Sequence, residues 1–139
     1  MIAEFHAKAL AEIPGARLVS AYNRTPAKAA AFATAHGCAV AATPEELLAD
    51  PAVDVVCLCT PSGDHLAPAL ACIRAGKHVV VEKPLEVTLA KCDELIAAAR
   101  AAGDQNTHKQ CSLNTRKGYA DARKKAASWA RPPAPPALG

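Results

Sequence analysis

The run Ala75-Gly76-Lys77-His78-Val79-Val80-Val81-Glu82-Lys83-Pro84 constrains the fold of this chain more than any other stretch. Three consecutive valines carry no polar alternation, so they predict a strand covered on both faces, which is the habit of parallel sheets. Gly76 is placed to end the preceding helix, and Pro84 to stop the strand. Ligands in open parallel sheets bind outside the carboxyl ends of the strands, so Glu82 and Lys83 emerge where a ligand would be met. Taken alone, Lys83-Pro84 is better read as a soluble close to a buried strand. The remainder of the chain turns the reading toward chemistry.

Upstream, Asp54 to Cys59 is a second apolar run, closed by the polar turn Thr60-Pro61-Ser62-Gly63-Asp64-His65 and followed by the apolar-periodic stretch Leu66 to Ala75. Earlier still, Ala16 to Tyr22 reads as a strand. After it come Asn23-Arg24-Thr25 and a helix with Pro26 in its first turn. Cys38 to Ala41 is a short strand, and Thr43 caps Pro44-Glu45-Glu46, with Leu47 and Leu48 starting a buried face. Strands are thus expected near 16–22, 38–41, 54–59 and 78–83, with helices near 3–12, 26–36, 65–75 and 88–102. Such alternation predicts right-handed βαβ units and an α/β, doubly wound parallel sheet.

Three motifs stand in order along this framework: Ile2-Ala3-Glu4-Phe5-His6-Ala7-Lys8-Ala9-Leu10, Thr60-Pro61-Ser62-Gly63-Asp64-His65 and Glu82-Lys83-Pro84, the last led in by Gly76-Lys77-His78. Over about residues 1 to 103 the chain resembles the nucleotide-binding domain of the Gfo/Idh/MocA family of NAD(P)-dependent oxidoreductases. That resemblance implies a Rossmann-like sheet and hydride transfer between a nicotinamide cofactor and a sugar, polyol or related hydroxy compound. It implies that Lys83 is the catalytic group, bonding the reacting hydroxyl or carbonyl and moving its proton. Glu82 would orient that lysine and the nicotinamide ribose, with Pro84 completing the strand end. The turn Thr60, Pro61, Ser62 and His65 would pack against the ribose and nicotinamide side of the cofactor. His6 reads as filler between the first helix and the sheet, outside the site.

Asn23 and Arg24 follow the second strand of such a domain, where an acidic residue would bind both ribose hydroxyls of NAD and repel a 2′-phosphate. Asn23 removes that repulsion, and Arg24 offers a partner for the phosphate or a face for adenine, so NADP or NAD is expected, with the balance toward NADP. A turn asparagine and a solvated arginine account for the same pair without a ligand.

The family also carries a first strand and a Gly-x-Gly-x-x-Gly/Ala turn immediately before its Ile-Ala helix. Here Met1 and Ile2 would fill the variable positions and Ala3 the last small one, so the sheet is expected to lack its first strand and the pyrophosphate its floor of backbone N–H groups. A second departure begins at Asp104. Residues 104–139 hold seven Lys/Arg and two Asp/Glu, net +5, which leaves −2 of the whole-chain +3 for residues 1–103. With Pro132-Pro133 and Pro135-Pro136 near its end, this segment is expected to be a basic, Pro-rich, poorly ordered tail with at most a local helix from Tyr119 to Trp129, behind a partial dinucleotide-binding domain at 1–103. The chain reads as a fragment truncated at both ends and inactive alone. A non-catalytic dinucleotide-binding or regulatory module, or a nonfunctional truncated product, are the alternatives.

A chain of 139 residues can bury one core but not two full domains. Much of its apolar content is alanine, and two Phe, two Tyr and one Trp leave few large anchors, which keeps a homo-oligomer open. No apolar run approaches the roughly 20 residues that span a bilayer, and Met1 opens no secretion signal, so the expected setting is the cytoplasm with no membrane partner. Of the six cysteines, Cys57 and Cys59 alternate along a strand while Cys72 and Cys92 fall in helical patterns, as small core residues do. No zinc-like Cys/His spacing accompanies them, and no metal is expected. The basic tail lacks a stacking or groove-reading motif, so the partner expected is a small molecule rather than nucleic acid.

Overall fold

A computed structural model describes residues 2–102. The elements alternate as α1 (Ile2–Ala11), β1 (Ser20–Ala21), α2 (Pro26–His36), β2 (Ala39–Val40), α3 (Pro44–Ala49), β3 (Val55–Leu58), α4 (Leu66–Arg74), β4 (His78–Val81) and α5 (Leu89–Ala101). The expectations for residues 104–139 lie outside the described residues.

Local chemistry sets most of these boundaries. Thr43 and Thr88 sit in extended backbone ahead of α3 and α5, and their hydroxyls accept from Glu46 N–H and Lys91 N–H, each satisfying a donor that the first helical turn leaves open. Pro26 and Pro44 occupy first-turn positions, where a missing N–H costs nothing. At the end of α4, Gly76 takes φ +70°; its N–H donates to Ile73 O and that of Lys77 to Cys72 O, each at 3.0 Å. Together these bonds form a Schellman motif, and the left-handed backbone it requires suits glycine.

All strand pairing is parallel. β1 pairs with β2 (Ser20 opposite Ala39), and β3 with β4 from Val55 opposite His78 to Leu58 opposite Val81. The ladder continues at both ends, His78 N–H donating to Asp54 O and Glu82 N–H to Leu58 O. Among the described residues these form two two-stranded sheets, with no ladder joining the β1–β2 pair to the β3–β4 pair. The strands are also shorter than expected: of 16–22 only Ser20–Ala21 is strand, because a ladder extends only as far as it has a partner.

The core lies on one face of β3–β4. Leu58, Val79 and Val81 meet Ala69, Cys72 and Ile73 of α4 and Leu95 and Ala99 of α5; Ala69, Leu95 and Ala99 are fully buried. The valine run does not bury both faces equally. Val79 and Val81 are buried while Val80 is half-buried, and pleat alternation puts Val80 and Glu82 together on the opposite face. Cys57 stands opposite Val80 on that same face.

Every cysteine among the described residues is free. Burial pushes the Cys72 thiol up to about 11. Burial, followed by the Glu82 charge, takes Cys57 to about 11, and burial, Cys57 and Glu82 take Cys59 to about 12. They remain neutral, weakly nucleophilic groups. Among the described residues there is no cluster of metal-ligating side chains, and no helix is long and apolar enough to cross a membrane.

Candidate functional site

Parallel pairing brings the carboxyl ends of β3 and β4 side by side, so the turn 60–65 and the segment 82–86 leave the sheet together. Lys83 stands exposed two residues after β4, ahead of a cis peptide bond to the exposed Pro84. Glu82 is half-buried. Its Oε1 lies 2.8 Å from His6 Nε2 on α1, and its Oε2 accepts the Lys83 N–H at 3.3 Å.

In the neighbouring turn, the Thr60 hydroxyl donates to Asp64 O at 3.2 Å, and Pro61 and Ser62 are exposed. His65 is 1% exposed. Its Nδ1 lies 3.0 Å from Pro84 O and 3.1 Å from Leu85 O, while Nε2 lies 2.9 Å from Thr60 O. Both ring nitrogens therefore face backbone carbonyls of the two loops, and a neutral ring donates to them from one nitrogen only. Through these contacts the ring joins one loop to the other.

A carboxylate that the sequence did not single out completes this joint. Glu86 Oε1 accepts the N–H groups of His65 and Leu66 at the start of α4, and Oε2 accepts that of Val87. Lys91 Nζ approaches Glu86 at 3.7 Å and donates to Gly63 O at 3.3 Å. The Val87 N–H, opposed by burial and aided by the Leu66 and His65 N–H groups and Lys91, holds the Glu86 carboxyl below the usual carboxylate range. No local pattern announces Glu86, because two of its partners lie 20 and 21 residues upstream. His6 had a signal, its fixed place in the Ile-Ala helix, but its partner is 76 residues away.

The β1–α2 turn faces the same end. Asn23 Oδ1 accepts the Thr25 N–H at 2.9 Å, the ordinary work of a turn asparagine. Arg24 extends into solvent, with its guanidinium 3.9 Å from the Asp64 carboxylate and both side chains mostly exposed. A pair so exposed is weak, leaving the guanidinium open to an anion. Thus Arg24, Ser62, Glu82 and Lys83 gather at one end of the strands, while His65 and Glu86 form the buried frame beneath them. A cavity of about 380 Å³ lies elsewhere, between β2 and α3; the buried Ser20 hydroxyl, which has no hydrogen-bond partner, lines it.

The donor set fits the ends of a nicotinamide dinucleotide. An exposed guanidinium suits a phosphate, and a carboxylate with an exposed amine suits ribose hydroxyls and a reacting oxygen. The family model of the Gfo/Idh/MocA oxidoreductases, described as an NAD-binding Rossmann fold, matches residues 1–109. This chain belongs to that family. The family member is 44% identical over 90 residues to 1,5-anhydro-D-fructose reductase of Ensifer adhaerens, a match covering 64% of this chain and 27% of that protein. Among solved structures it is similar to the WlbA dehydrogenase of Bordetella pertussis in complex with NADH and UDP-GlcNAcA, at 32% identity and a TM-score of 0.69, covering 73% of this chain and 31% of the other. It is also similar to biliverdin reductase of Synechocystis in complex with biliverdin and NADP+, at 34% identity and a TM-score of 0.69, covering 74% and 33%. The chain spans a third or less of the length of each of these proteins.

Proposed function

We propose that this chain is the nucleotide-binding part of an oxidoreductase that uses NADP or NAD to interconvert a hydroxyl and a carbonyl on a sugar, polyol or related compound, with Lys83 as the catalytic residue. The observation that carries this reading is the exposed Lys83 amine at the carboxyl end of β4, with Glu82 half-buried beside it. A bound nicotinamide supplies hydride exchange at the substrate carbon. Lys83 holds the substrate oxygen and takes or returns the proton that this oxygen loses or gains. Glu82 presents its carboxylate to the ribose, and Arg24 receives a 2′-phosphate where one is present. The acting groups named in the relatives, an anhydro-sugar and a UDP-sugar, support the substrate class. The buried joint of His65 and Glu86 fixes the two loops, and the reacting end is assembled without their direct contact with substrate.

The test is a fluorescence titration of the chain with NADPH and NADH, alongside Arg24→Ala and Lys83→Ala. Arg24→Ala should weaken NADPH by about tenfold and NADH far less, the scale of one charge-assisted contact. Lys83→Ala should leave both affinities within a few-fold, yet lower turnover in the whole protein by roughly 10² to 10⁴, the contribution of a positioned proton-transfer group. Turnover that survives Lys83→Ala while nucleotide binding collapses overturns the assignment.

A further inference from the structure

We propose that His6 is a positioning residue for the strand-end lysine: it holds the Glu82 carboxylate, and Glu82 in turn holds the backbone of Lys83. The weight given to Lys83 rests on the function proposed above, whereas the geometry of the link does not. The two oxygens of Glu82 divide the work, Oε1 meeting His6 Nε2 at 2.8 Å and Oε2 accepting the Lys83 N–H at 3.3 Å. The side chains of His6 and Glu82 are 9% and 13% exposed, so neither has much water to fall back on. Nearly buried polar groups are held by their partners, and removing one partner releases the other.

The rest of the environment explains why such a holder is needed. Glu82 shares its face of the sheet with Cys57 and Val80, and its charge raises the Cys57 and Cys59 thiols. Neutral thiols and a valine cannot fix a carboxylate. Glu82 has three rotatable side-chain bonds and a path toward solvent past the strand end, so without His6 the carboxylate turns outward and the Lys83 N–H loses its acceptor. α1 is itself held from two sides, by Glu4 bonded to His36 of α2 and by His6 bonded to Glu82, so the imidazole presented to Glu82 is fixed in place.

The experiment uses the full chain labelled with ¹⁵N and follows amide exchange at Lys83, Val79 and Val81 together with NADPH titration. His6→Ala should speed Lys83 exchange by about tenfold, the scale of one lost hydrogen bond, without changing Val79 or Val81. His6→Gln, whose amide nitrogen can donate to the same oxygen, should restore most of the protection. NADPH affinity should fall several-fold in His6→Ala and recover in His6→Gln. Glu82→Ala should match His6→Ala at Lys83, and the double variant should add nothing further, as expected of one linked chain. If His6→Ala does not fold, Glu82→Ala and His6→Gln still read the link from both ends. Lys83 exchange that is unchanged, or that rises equally with Val79 and Val81, overturns the proposal. If the wild-type chain binds no dinucleotide, the proposed function fails, and the exchange data still decide the role of His6.

Discussion

Replacing His65 by leucine separates a structural joint from a ligand contact. The substitution keeps an apolar body of similar bulk but removes both ring nitrogens, which face Thr60 O on one side and Pro84 O and Leu85 O on the other. With the residue 1% exposed, water does not readily replace the ring. Each N–H that the ring donates leaves a carbonyl without its donor when it is lost, at about 1–3 kcal/mol apiece. Small domains have about 5–15 kcal/mol in all, and urea slopes of about 1–3 kcal/mol per molar, so the urea midpoint should fall by about 1 M. The measurement is far-ultraviolet circular dichroism against urea with no ligand present. The slope should stay constant, because the folded state remains compact. An unshifted midpoint combined with weakened dinucleotide binding would refute the joint and return His65 to the cofactor.

Leu95→Ala removes a fully buried side chain between α5 and the β3–β4 core and should cost about 2–5 kcal/mol in the same urea assay. Cys57 and Cys72, raised from 9.0 to about 11, should alkylate at pH 8 about a hundredfold more slowly than an ordinary thiol, read by mass spectrometry after iodoacetamide. Because their folded values lie above the unfolded ones, the stability they contribute is complete below the unfolded thiol value and is lost as pH rises toward 11; alkaline titration of the urea midpoint should show that decline. Glu86 has the opposite sign: its folded value is depressed, so its contribution is present above the ordinary carboxylate range and disappears as pH falls through the folded value. Glu86→Gln should flatten the acid limb of the same curve.

What could be read from the residues depended on how far each cause reaches. Gly76, Thr43, Pro26 and Pro44 act within one helical turn, so their caps and stops were visible in the order of residues. The buried valines marked β4 correctly, although Val80 is less covered than its neighbours because the helices α4 and α5 occupy the other face. Lys83 and Glu82 were legible as a strand end. Their supports were not: the partners of His6 and Glu86 lie far away in the chain and are brought close only by the fold. The length of β1 depended on pairing that no single segment contains.

The division of the strands into two pairs bears on how the domain opens. The large apolar side chains gather on β3, β4, α4 and α5, whereas the buried residues of the β1–α2–β2 unit and the segment after it are alanines: Ala29, Ala33 and Ala41. Alanine buries too little area to bind that unit tightly to the rest. The amides of β1 and β2 should therefore exchange through sub-global excursions, and those of β3 and β4 only through complete unfolding. Arg24 rides on the looser unit and Lys83 on the tighter one, so the two ends of a bound dinucleotide would rest on ground of unequal stiffness, and a ligand gripping both would raise the cooperativity of the whole.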